Sequence, residues 1–112
     1  MSKPFVLRVG QTVRIDNQEL ALTFEGVIRD NRCPKHVRCI VAGSATVLVI
    51  AKTLTNPTTE MIFDVPPSGS ALRSVGVYTI TITEVNPYTR SGQRIRPEDY
   101  LITVLIKRDA GE

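Results

Sequence analysis

The chain has no tryptophan, six other aromatics in 112 residues, one histidine and two cysteines. Each shortage excludes something. Single-strand nucleic-acid grooves stack bases on aromatic side chains, and here there are few to offer. A structural zinc site wants four protein ligands, and no third cysteine or second histidine is available. A nucleophile–histidine–acid triad would depend wholly on His36. No apolar run approaches the ~20 residues of a membrane span. The longest, Val47 to Ala51, is strand-sized. No segment keeps helical spacing, and no glycine-rich phosphate loop or dinucleotide fingerprint occurs.

What is present is globular and β-rich. Hydrophobic residues make up 42% and charged residues 22%, and the length sets one domain over residues 1–112. Apolar and polar residues alternate with period two almost throughout. Tyr78, Ile80 and Ile82 interleave with Thr79, Thr81 and Thr83; Leu20, Leu22 and Phe24 with Ala21, Thr23 and Glu25. Further strands are expected at 5–9, 12–15, 40–52, 60–65 and 100–106, with Gly26 and Gly43 as bends or bulges. Pro66 to Ser70 is a loop, Asn86 to Pro97 a longer one, and Pro97-Glu98-Asp99 suits one helical turn. This pattern predicts an all-β fold, a single antiparallel β-sandwich of Ig-like or Greek-key type, with a small barrel as second choice. The expected core is Leu20, Leu22, Phe24, Val47, Val49, Phe63, Tyr78, Ile80, Ile82, Ile102 and Val104.

The segment from Asp30 to Cys39 holds both cysteines, the histidine and a cluster of positive charge. Five residues separate Cys33 from Cys39, and Pro34 favours a turn between them. The pair reads first as a disulfide, second as free thiols, and third, with His36, as metal ligands. Residues 29–38 carry Arg29, Arg32, Lys35 and Arg38 against Asp30, and residues 86–97 carry Arg90, Arg94 and Arg96 with no acid. The two loops thus hold more than the net charge of +3. At one end of the domain they would form a basic patch. The candidate binding set is therefore Arg32, Lys35, His36 and Arg38, with Arg90, Arg94 and Arg96 as neighbours. The competing reading ties the Arg32 guanidinium to loop carbonyls or to Asp30 and leaves the other charges solvated.

Phe24-x-x-Val27-x-x-Asp30-x-Arg32-Cys33-Pro34, then Val37-x-Cys39-x-x-Ala42-Gly43-x-Ala45-x-Val47, resembles a family of small, mostly exported bacterial β-domains of uncharacterised function. Its members read D-S-R-C-P-x-x-V-x-C-V-W-A-G at this point. The resemblance extends to Gly10-Gln11, Pro87, Ile95 and Asp99-Tyr100. Asn31 stands where serine is usual and Val41 where tryptophan is usual. The resemblance implies no activity. A second resemblance is narrower. Asn56-Pro57-Thr58-Thr59 is similar to a loop of chagasin-like protease inhibitors, and Arg96-Pro97 to half of another; Glu60 and Glu98 depart from both patterns.

The functional expectation is a non-enzymatic binding module that presents a stapled basic loop, with an anionic protein or ligand as partner and no cofactor. A binder of single-stranded nucleic acid or another polyanion, using Tyr88 as platform, is the alternative. The inhibitor and metal readings rank lower. The paired cysteines point to an extracytoplasmic site, periplasmic or cell-surface, while the N-terminus, with no apolar leader in view, points to the cytoplasm. The cysteines carry the greater weight. Open sheet edges are compatible with a homo-oligomer.

Overall fold

A computed structural model describes residues 3–15, 19–33, 38–40, 43–54, 58–67, 69–88 and 95–108. Eight strands form in chain order: β1 (Phe5–Arg8), β2 (Thr12–Ile15), β3 (Leu20–Asp30), β4 (Ala45–Thr53), β5 (Thr59–Val65), β6 (Ala71–Val75), β7 (Tyr78–Asn86) and β8 (Leu101–Arg108). The helical turn expected at Pro97–Asp99 is a 3-10 turn just before β8. Two four-stranded antiparallel sheets, β1-β8-β7-β6 and β2-β3-β4-β5, pack face to face. The antiparallel sandwich is thus the fold, and no closed barrel forms.

The connections agree with the Greek-key expectation. Strands β6, β7 and β8 follow one another as neighbours, and β1, linked to β6 by the long path through β2–β5, lies beside β8. The other sheet joins sequence neighbours, β2 to β5.

The alternating pattern decides which faces meet. Leu20, Leu22 and Phe24 point inward from β3, Val47, Val49 and Ala51 from β4, Ile80 and Ile82 from β7, and Ile102 and Val104 from β8. Every residue expected in the core is buried. Two expectations about strands need correction. The strand expected from Ile40 starts at Ala45, because Ile40 lies fully exposed in the preceding loop. Strand β6 was not anticipated at all; only Val75 in it is buried, so its sequence carries little periodicity.

Gly26 sits at the first of two register shifts between β3 and β4, between Phe24 and Gly26 and between Val27 and Arg29. The bulge or bend expected there appears as this break in register. Register also fixes which loops share an end. Asp30 pairs with Ala45, and Asn86 and Arg8 both pair with Leu101. The described residues 9–11, 31–33, 38–40, 43–44, 87–88 and 95–100 therefore gather at one end. Pairing of Leu20 with Thr53, Ala51 with Thr59 and Tyr78 with Arg108 marks the opposite end.

Candidate functional site: the stapled loop and its anchor

After Asp30 the chain leaves the sheet. The Asn31 amide donates to the Ser44 carbonyl at 2.8 Å and closes the base of the loop. Arg32 then turns inward. Its side chain is 2% exposed, which an unpaired guanidinium could not tolerate. Nε donates to Asp30 Oδ1 at 2.8 Å and Nη2 to Asp30 Oδ2 at 2.7 Å, a two-pronged pairing. Nη1 donates to the Val85 carbonyl at 2.7 Å and Nη2 also to the Pro87 carbonyl at 2.9 Å. The Tyr88 ring lies 4.9 Å from the guanidinium carbon and covers one face of it. Four of the five N–H donors and one π-face are thus engaged.

Asp30 is as fully used. Besides the two guanidinium contacts, Oδ1 accepts from the Arg32 amide at 3.3 Å and Oδ2 from the Tyr100 hydroxyl at 2.8 Å. A carboxylate offers about four acceptor positions, so none remains for a metal or a substrate proton. Burial alone would raise the Asp30 pKa. Hydrogen bonds from Arg32 and Tyr100, with the guanidinium charge, outweigh it and hold the carboxyl below its usual value. Burial likewise works against the Arg32 charge, and the Asp30 partner more than restores it. Burial first, then donation to the Asp30 carboxylate, pushes the Tyr100 hydroxyl up to about 12.

This cluster joins two loops that are far apart in sequence. Val85, Pro87 and Tyr100 lie 53 to 70 positions from their partners. The bases of the two basic loops are therefore neighbours at one end of the sandwich. Gly43 completes the base. It has φ +75°, and a Cβ there would collide with the Asn31 carbonyl. Asp30, Arg32, Gly43 and Tyr100, and the chain at Pro87, thus meet in one structural assembly.

Above it, Cys33 and Cys39 form a disulfide with Cα atoms 6.0 Å apart. Both sulfurs are bonded to each other, so neither is a thiolate ligand or nucleophile. Among the described residues no three His, Cys, Asp or Glu side chains converge as a metal site would need. Such a bridge suits an oxidising environment. No helix among the described residues is long and apolar enough to cross a membrane.

The sequence-derived candidates divide into three groups. Arg32 is interior and structural, as the competing reading has it. Arg38 is exposed beside Cys39, and Arg29 is exposed on the adjoining strand. Arg96 is exposed but faces Asp99 at 3.2 Å and Glu98 at 3.6 Å, which offset its charge locally. Lys35, His36, Arg90 and Arg94 lie outside the described residues. Of the two inhibitor-like segments, Asn56 and Pro57 lie outside the described residues, and Thr58-Thr59 stands at the far end from Arg96-Pro97. A single enzyme cleft could not receive both.

Sequence reasoning missed Tyr100 as a partner of Asp30. The signal was available, since a tyrosine alternating with core residues must still find a partner for its hydroxyl. The Val85 and Pro87 carbonyls had no such signal, because backbone acceptors are identical at every position. No family model, curated protein or solved structure matched the chain.

Proposed function

We propose that the domain is a non-enzymatic binding module whose contact surface is the stapled loop, and that its partner is an anionic protein or ligand. One observation carries the reading: the loop is anchored below by the Asp30–Arg32–Tyr100 cluster and bridged above by Cys33–Cys39, while Arg38 stays exposed. Ordering a free loop on binding costs about 1–2 kcal/mol per backbone residue. A loop fixed in advance avoids part of that cost. Arg38 supplies a forked donor suited to carboxylates or phosphates. Lys35 and His36 from the same loop, and Arg90, Arg94 and Arg96 from its neighbour, complete the proposed surface. Arg32 supports this surface from within. The bridged loop and the resemblance to exported bacterial β-domains support a periplasmic or cell-surface site.

The test is a salt-dependent pull-down comparing the native protein with a Lys35→Glu/Arg38→Glu double variant. Partners lost by the variant and weakened by salt support the reading. Retention of every partner at equal strength means the loop is only a staple.

A further inference from the structure

The opposite end of the sandwich has a feature the basic loops do not explain. Strands β1 and β2 are consecutive but belong to different sheets. At their near end the turn between them is tied to β3: the Gly10 amide donates to the Phe24 carbonyl at 2.7 Å, and the Phe24 amide to the Gln11 carbonyl at 3.2 Å. At the other end a groove of about 520 Å³ lies between the sheets. Phe5 lines it from β1, Val13 and Ile15 from β2, and Tyr78 and Ile106 from the core behind. Phe5, Val13 and Ile15 are only half-buried, so this apolar wall remains partly wet. Covering it is favourable in proportion to the apolar area removed from water.

The rim is cationic. Lys3 and Arg108 complete the lining. Arg108 faces Glu19 at 3.2 Å, and the Tyr78 hydroxyl donates to the same carboxylate at 3.4 Å, so Glu19 and Arg108 offset one another. Lys3 is exposed and has no salt bridge to any described residue. The described rim therefore carries one uncompensated positive charge above an apolar floor. A lysine in this position lays its methylenes along the wall and keeps its ammonium in water. A concave apolar site of this size, with few polar groups at its mouth, is what small-molecule pockets look like, their volumes running about 300–1,000 Å³.

We propose that this groove is a second binding site, for a small amphipathic monoanion with an aliphatic chain and a carboxylate head. The chain lies against Phe5, Val13, Ile15 and Ile106, and the head group meets the Lys3 ammonium at the rim. The site is separate from the stapled loop and does not depend on it.

Methyl-detected NMR with sodium decanoate, held below its micelle concentration, tests this. Decylammonium chloride serves as the apolar control of opposite charge. Saturable shifts at the Val13, Ile15 and Ile106 methyls are expected, with decanoate at least about fivefold tighter than decylammonium. Lys3→Glu, a change outside any strand, is expected to abolish that preference, and Arg38→Glu at the other end to leave it unchanged. Absence of saturable shifts at these methyls overturns the proposal. So do equal affinity for the two amphiphiles, a preference that survives Lys3→Glu, or a dimer through this face that decanoate cannot displace.

Discussion

Removing the charge from one member of a buried ion pair leaves the other without compensation. That makes Asp30 the most sensitive position outside the hydrophobic core. Asp30→Asn keeps the shape and removes the charge opposite a guanidinium that is 2% exposed. Its expected cost is about 3–5 kcal/mol in urea unfolding. Tyr100→Phe removes only the hydroxyl that donates to Asp30 at 2.8 Å, and should cost about 1.5–3 kcal/mol. The two losses should not add, because both act on the same carboxylate. The pH dependence has opposite signs at the two residues. Asp30 is lowered from 3.8, so its contribution is present above about pH 4 and disappears as pH falls through the folded value. Tyr100 is raised from 10.0 to about 12, so its contribution is complete below pH 10 and is lost between pH 10 and 12. A shift of that size corresponds to at most about 3 kcal/mol. Comparing native and Tyr100→Phe unfolding across pH 8 to 12 isolates the effect from other titrations. The native protein should lose more stability over that range than the variant.

At the level of elements, two glycines with similar backbone angles should behave differently. Gly43 and Gly10 have φ of +75° and +86°, so an alanine at either position pays the left-handed penalty of about 1–2 kcal/mol. A Cβ at Gly10 meets nothing, whereas at Gly43 it meets the Asn31 carbonyl and the Arg32 backbone. Gly43→Ala should therefore destabilise clearly more than Gly10→Ala in the same unfolding measurement. The strands themselves were legible where one face is buried and the other wet, as in β7 with its alternating isoleucines and threonines. They were illegible at β6, where Leu72, Arg73 and Ser74 are all exposed and leave no alternation to read. Ile40 misled for the opposite reason, being a β-branched residue that is fully exposed in a loop. The anchor was half legible. Asp30 and Arg32, two apart, announce a local pairing, but their remaining partners sit on β7 and in the loop between β7 and β8, and spacing along the chain says nothing about them.

Across the whole molecule, the core is one continuous layer between the sheets, with Phe24, Phe63, Ile80, Ile82 and Ile102 at its centre. Ile80 is fully buried, and Ile80→Ala should cost about 2–5 kcal/mol by denaturant titration. A cost near zero would mean that the two sheets do not meet as described. The pairing of the first strand with the last also has a mechanical side. Strand β1 lies antiparallel to β8, with Phe5 opposite Val104 and Arg8 opposite Leu101. The chain enters β1 and leaves β8 at the same end of the sandwich, away from the stapled loop. Tension applied through those two points loads the β1–β8 hydrogen bonds one after another, from the open end inward. The seam should peel like a zip at low force, without the resistance of bonds sheared together. Under such a pull β1 would detach first, while the bridged loop and its anchor, at the far end, stay slack.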